Sequence, residues 1–179
     1  MSVLNAARRR RSHAKVTASA PSRAELLPLI EAAGGVPDHG ALRPWRIIEI
    51  RGEARLRVGA AFAEAVGPEH GPKLVGKPLR AELLLAVVAV TKPSIKVPVW
   101  EQEATAAGVA HLLALLLDEA GWGVMWRSGP HTDADPVRVA HGLAPNERLL
   151  GWLYVGGVPE GAKDGTKLAI DPEEFLTAI

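Results

Sequence analysis

The chain contains no cysteine, which excludes disulfide bridges, thiolate metal sites and cysteine nucleophiles together. It also lacks an excess of charge of one sign. Its 21 Lys and Arg against 20 Asp and Glu leave a formal net charge of +1, so nothing global favours a polyanionic partner. Long apolar runs are missing too: the longest, Leu83 to Val90 and Val109 to Leu117, are too short to span a bilayer. The arginines at 8 to 11 are followed by a polar, Ala-rich stretch, Ser12 to Arg23, not by the apolar core of a secretory signal. The expectation is a cytoplasmic protein with no membrane partner.

Several catalytic signatures are absent as well. His13, His39, His70, His111, His131 and His141 show no HExxH or similar ligand spacing, so no metal site is expected. No GxGxxG follows a strand and no GxxxxGK[ST] occurs, which leaves neither a dinucleotide fingerprint nor a P-loop. A Ser-His-Asp triad would need an elbow such as GxSxG, and there is none.

What is present fits one globular unit. A chain of 179 residues suits a single domain spanning 1–179, and 47% hydrophobic with 23% charged residues is ordinary for such a domain. Val3 to Arg11 reads as a short helix with a basic end, and Ser12 to Ala20 as an irregular arm. Ser22 is a candidate N-cap with Glu25 three residues on, followed by the apolar stripe Leu26, Leu29 and Ile30. Gly34-Gly35 and Pro37 end that helix. Trp45 to Arg51 reads as a strand, Ala54 to Val66 as a helix, and Leu83 to Thr91, apolar on both faces, as a central covered strand. Trp100 to Gly121 is the longest helical stretch. Gly123 to Arg127 and Leu149 to Val155 read as strands, Asp133 to His141 and Pro172 to Ile179 as short helices, and Lys73 to Arg80 is ambiguous. A layered α+β fold with its sheet covered on both faces follows.

Three segments could carry chemistry. Arg8-Arg9-Arg10-Arg11-Ser12 is either a solvated basic helix end or an anion site, since a phosphate monoester takes guanidinium and hydroxyl donors together. Pro37-Asp38-His39-Gly40-Ala41-Leu42-Arg43-Pro44-Trp45 is a Pro-bounded loop whose polar residues are explained by turn chemistry alone. In Gly121-Trp122-Gly123-Val124-Met125-Trp126-Arg127-Ser128-Gly129, two glycines flank aromatics and would let backbone approach a flat ligand. The plain alternative is a strand with core tryptophans and a solvated arginine.

Taken in order, these segments resemble the nitroreductase superfamily, in particular its small bacterial NAD(P)H nitroreductase branch. The resemblance rests on Arg10-Arg11-Ser12, Pro37-Asp38-His39, Pro44-Trp45, Val97-Pro98-Val99-Trp100-Glu101-Gln102-Glu103, Trp126-Arg127-Ser128-Gly129 and Gly151-Trp152-Leu153-Tyr154-Val155-Gly156, and covers essentially the whole chain. It implies a three-layer α+β fold with a central mixed, mostly antiparallel sheet, in an intertwined homodimer with FMN at the subunit interface. By that likeness Arg10, Arg11 and Ser12 hold the FMN phosphate and flank the ring. Trp126, Arg127, Ser128 and Gly129 line the flavin, with backbone N–H groups near Ser128 and Gly129 facing N5. Gly35 and His39 reach it from the partner subunit, and Gly121 and Trp122 contribute to NAD(P)H contact. Related chains carry Arg where Gly35 stands, and Gln or Asn where Arg43 stands, so Arg43 is expected to replace the lost charge. Lys77 is a candidate near flavin N1 and O2 by position.

The implied activity is NADH or NADPH oxidation with ping-pong transfer of hydride through flavin N5 to a nitroaromatic, quinone or similar small acceptor, with no side chain as acid or base. Alternatives are an FMN-binding protein without NAD(P)H turnover, serving flavin storage, or another flavin reaction such as enone reduction or dehalogenation. A nucleic-acid module built on Arg8 to Arg11 is disfavoured because the charge is not spread over a face.

Overall fold

The computed structural model describes residues 2–162 and 169–179. Its elements run α1 (Val3–Arg9), α2 (Arg23–Ala33), β1 (Trp45–Arg51), α3 (Glu53–Val66), β2 (Leu83–Val90), α4 (Val99–Glu119), β3 (Trp122–Arg127), α5 (Asp135–Ala140) and β4 (Glu147–Gly157). The strands form one sheet in the order β1-β2-β4-β3.

Every neighbouring pair in this sheet is antiparallel. The mixed sheet expected from the sequence is therefore purely antiparallel among the described residues. β2 and β3 run in the same direction, but β4 lies between them, so no parallel ladder forms.

β2 explains why the sheet is covered twice. Leu83, Leu85 and Val87 pack with Leu26 and Ala33 of α2 and with Val109, Leu113 and Leu117 of α4. The alternate residues Leu84, Ala86 and Val88 pack with Val58 and Phe62 of α3 and Val137 of α5. Side chains of a strand alternate between faces, so an unbroken apolar strand needs cover on both. α2 begins at the predicted capping box: Ser22 Oγ accepts from Glu25 N–H while Glu25 Oε2 accepts from Ser22 N–H at 2.7 Å. No helix among the described residues is long and apolar enough to cross a membrane.

One further expectation needs correction, and one open stretch is settled. The C-terminal helix Pro172 to Ile179 is a single 3-10 turn, Pro172–Glu174, capped by Asp171, with Phe175, Leu176 and Ile179 exposed. Eight residues without a packed face cannot repay helix nucleation. The ambiguous stretch 73–80 resolves into two 3-10 turns, Gly71–Lys73 and Lys77–Arg80.

The irregular arm 12–20 is docked rather than loose. His13 N–H donates to Val124 O at 2.9 Å, Thr17 N–H to Gly157 O at 2.8 Å, and Gly157 N–H to Ser19 O at 2.9 Å. The arm thus crosses the ends of β3 and β4. Gly156 permits it: a Cβ there would lie 2.7 Å from Thr17 O.

Candidate active site

Strand alternation builds the site. Met125 and Arg127 of β3 pair with Tyr154 and Trp152 of β4 in register, so all four point to the α3 side of the sheet. Phe62 of α3 closes over them, its ring 5.0 Å from that of Trp152 in an edge-on arrangement. Lys77 and Arg80 come from the 3-10 turn after α3, and Trp126, Ser128, Gly129 and His131 from the end of β3 and its loop. Together they wall a cavity of about 330 Å³, within the range of small-ligand sites.

The cavity's chemistry is one-sided. Its lining carries the cations Lys77, Arg80 and Arg127 and no carboxylate. Arg127 is anchored: its Nη2 donates to Ala14 O of the arm at 3.4 Å, and its guanidinium carbon sits 5.3 Å from the centre of the Tyr154 ring. Burial pushes the Tyr154 hydroxyl pKa up, with Arg127 and Arg80 opposing it. The phenol therefore stays protonated at neutral pH. Arg127 Nε, a buried donor in this wall, has no hydrogen-bond partner among the described residues, although such groups nearly always find one. Trp126 Nε1 lacks one too, but its indole turns to the α4 side of the sheet, 4.8 Å from the His111 ring. The N–H groups of Ser128 and Gly129 likewise meet no protein acceptor among the described residues.

Behind the wall, Trp152 Nε1 donates to His141 Nε2 at 2.9 Å, and His141 Nδ1 is 2.7 Å from Val137 O. Burial above all lowers the His141 pKa, and the nearby Arg46 adds to this against the Val137 hydrogen bond. Arg46 is itself clamped by Glu147 through contacts of 2.6 and 2.7 Å, which hold the Glu147 carboxyl below its ordinary value.

Of the residues nominated from the sequence, Trp126, Arg127, Ser128, Gly129 and Lys77 share this cavity. Arg10, Arg11 and Ser12 do not line it; Arg10 and Arg11 precede, and Ser12 begins, the arm that Arg127 grips. Arg11 is occupied at the end of α1, its Nη1 donating to the carbonyls of Arg8, Arg9 and Arg10 at 2.8, 2.7 and 3.1 Å. Gly35 is exposed just beyond α2.

His39 borders a separate open hollow with Leu42, Ile95 and Val97, and its Nδ1 lies 2.8 Å from Glu101 Oε2. The Asp38 carboxylate accepts from Leu42 and Arg43 N–H groups, which holds Arg43 at φ 47°. Gly121 makes the turn out of α4 at φ 87°, and Trp122 packs against the α4-side core. Sequence reasoning missed Phe62, Arg80, Met125, His131, Trp152 and Tyr154 as lining residues. Trp152 and Tyr154 could have been found, because alternation in the strand puts both on one face.

Comparison with known proteins agrees with this architecture. The chain is 33% identical over 174 residues to the protein named "Putative NAD(P)H nitroreductase YdjA" of Escherichia coli K12, covering 94% of each chain. It is 31% identical over 176 residues, 95% of each, to a relative of the same description in Haemophilus influenzae. Among solved structures, a nitroreductase-like protein from Bacillus cereus superposes with a TM-score of 0.87 at 24% identity, covering 100% of this chain and 96% of that one. NfnB from a Sphingopyxis-type strain (HMH), described as an FMN and NADPH-dependent nitroreductase, gives a TM-score of 0.80 at 19% identity over 100% and 99% of the two chains. The sequence pattern of the Nitroreductase family matches residues 7–157, and the chain belongs to that family.

Proposed function

We propose that this protein is an FMN-dependent oxidoreductase that draws on NADH or NADPH and reduces nitroaromatics, quinones or similar small acceptors, working as a homodimer. One observation carries the reading. The cavity is walled by aromatic rings and cations without a carboxylate, and it holds a buried donor, Arg127 Nε, that lacks a partner among the described residues. A flat cofactor with an anionic tail fits that donor set. The names of the E. coli relative and of NfnB, which is described as using FMN and NADPH, support the same reading.

FMN would supply the redox chemistry, accepting a hydride equivalent from the nicotinamide and passing it to the acceptor. The protein's own task is to bind and orient. Arg10 and Ser12 would hold the phosphate, through a charge-assisted pair and a hydroxyl. Trp126, Arg127, Ser128 and Gly129 would present N–H donors to the ring system, and Lys77 would add a cation beside it. Gly35, His39 and Arg43 would serve a flavin held by the other subunit, and Gly121 and Trp122 would contribute to NAD(P)H contact. Fixed dipoles and cations around a site that gains electrons stabilise the charge as it appears.

The test is direct. Protein purified with FMN supplementation should show flavin absorption, lose it on anaerobic addition of NADH or NADPH, and recover it with menadione or a nitroaromatic. Absence of flavin bands under saturating FMN would remove the reading. Flavin bands that persist in the presence of both nicotinamides would favour the second reading, flavin storage, for which Gly35 in place of an arginine is the supporting feature.

A further inference from the structure

Arg80 has no place in the flavin arrangement just described. It lines the cavity from the 3-10 turn Lys77–Arg80, three residues after Lys77, and in a 3-10 turn side chains at i and i+3 project from the same side. It is exposed and forms no ion pair among the described residues. Three other arginines near the α3 face are engaged: Arg55 with Glu82 and Ala81 O, Arg46 with Glu147, Arg127 with the arm and the Tyr154 ring.

Tyr154 shares the cavity, close enough to Arg80 to feel its charge, and its hydroxyl has no hydrogen-bond partner among the described residues. A guanidinium and a protonated phenol lining one cavity make a donor pair for a carboxylate or phosphate oxygen. The phenol is a donor at neutral pH at its ordinary pKa, and burial raises that pKa further. A phosphate held at Arg10 and Ser12 would already have its own partners.

We infer that Arg80 and Tyr154 form a second anion subsite in the cavity, which selects reactants bearing a negative group beside the part to be reduced or oxidised. The inference rests on the oxidoreductase reading for its reactants. Its anion could come from two sources, a carboxylated nitroaromatic acceptor or the extra phosphate of NADPH.

The experiment uses the flavin-loaded protein and reads binding as well as turnover. Quenching of tryptophan fluorescence, with the Trp152 ring in the wall, gives dissociation constants for 4-nitrobenzoate and its neutral analogue 4-nitrobenzamide. Arg80→Gln and Tyr154→Phe should each weaken 4-nitrobenzoate about fivefold, as for a partly exposed charge contact, and leave 4-nitrobenzamide within about twofold. Arg80→Lys should restore part of the loss. In a parallel arm, kcat/KM is measured for NADPH and NADH against menadione. A loss confined to 4-nitrobenzoate places the anion on the acceptor, and a loss confined to NADPH places it on the coenzyme. Equal behaviour of charged and neutral ligands in both arms overturns the subsite, as does an Arg80→Gln effect limited to FMN affinity. Because the quenching does not need turnover, an inactive wild type that still discriminates 4-nitrobenzoate through Arg80 would refute the oxidoreductase reading alone.

Discussion

The indole N–H of Trp152 points at Nε2 of His141, 2.9 Å away, and this contact fixes the histidine's tautomer. Nε2 must accept, so the proton sits on Nδ1 and is donated to Val137 O at 2.7 Å. A cavity-wall ring is thereby tied to a neutral imidazole at the end of α5, where His141 is 7% exposed.

The tie makes stability depend on pH. Burial holds the His141 pKa below its ordinary 6.5. Between that folded value and 6.5 the unfolded chain binds more protons than the folded one, so stability is full above pH 6.5 and falls as pH drops. Loss at Glu147, whose pKa lies below the ordinary 4.5, begins only at lower pH. The thermal midpoint should therefore be flat from pH 8 to 7 and decline below about 6.5. His141→Gln should abolish that first decline and cost about 1–3 kcal/mol at pH 7.5, because the Trp152 N–H loses its partner. Calorimetry across the pH range decides, and an unchanged decline in the variant would rule His141 out as its source.

The docked arm supplies a second prediction. A Cβ on Gly156 would meet Thr17 O at 2.7 Å and the Val16 side chain at 2.8 Å. Gly156→Ala should force the arm off the sheet at a cost of about 1–3 kcal/mol. Tryptic cleavage at Lys15 should accelerate, and FMN affinity should fall because Arg10 and Ser12 lead into this arm. Proteolysis and flavin binding unchanged together would mean that the arm's seat on β3 and β4 does not shape the site.

Neighbouring basic residues should separate by role. Arg10 and Ser12 are proposed to grip phosphate, whereas Arg11 holds the carbonyl end of α1. Arg10→Ala with Ser12→Ala should weaken FMN about a hundredfold, roughly two charge-assisted hydrogen bonds of about 1.5 kcal/mol each. Arg11→Ala should lower thermal stability and alter flavin affinity much less. Flavin titration followed by absorbance is the measurement. Equal losses from the double variant and from Arg11→Ala would contradict this division.

These contrasts show where sequence was informative. The apolar run of β2 announced a strand covered on both faces, and Ser22 with Glu25 announced the start of α2, because each signal is local and periodic. The lining by Phe62, Arg80 and His131 was not legible, since α3, a 3-10 turn and a loop meet only through tertiary packing. Arg11 shows the opposite difficulty. Its place in a motif suggested a ligand contact, while the geometry of three nearby carbonyls gives it a capping role that no spacing reveals.

Gly35 offers the sharpest test of a site shared between subunits. The resemblance places an arginine there, and the backbone accepts one: Gly35 is not in the left-handed region and is exposed, and a Cβ would lie 3.2 Å from Ala32 O, a shift of a few tenths of an ångström. A cation just past the C-terminal end of α2 is also favoured by the helix dipole. Gly35→Arg should therefore fold with an unchanged thermal midpoint and bind FMN about fivefold more tightly, an effect that fades at high salt. In a mixed dimer, one subunit would carry Gly35→Arg and the other the Arg10→Ala, Ser12→Ala pair. The arm and the loop of one flavin site come from different subunits in this proposal. One site should then combine the added arginine with the damaged arm, and the other should keep the native arm without the added arginine. Two classes of flavin affinity, one native and one weakened but partly rescued, are expected from titration. A site combining the native arm with the tightened affinity would instead mean that each subunit supplies its own loop, and the interlocked arrangement would have to be given up.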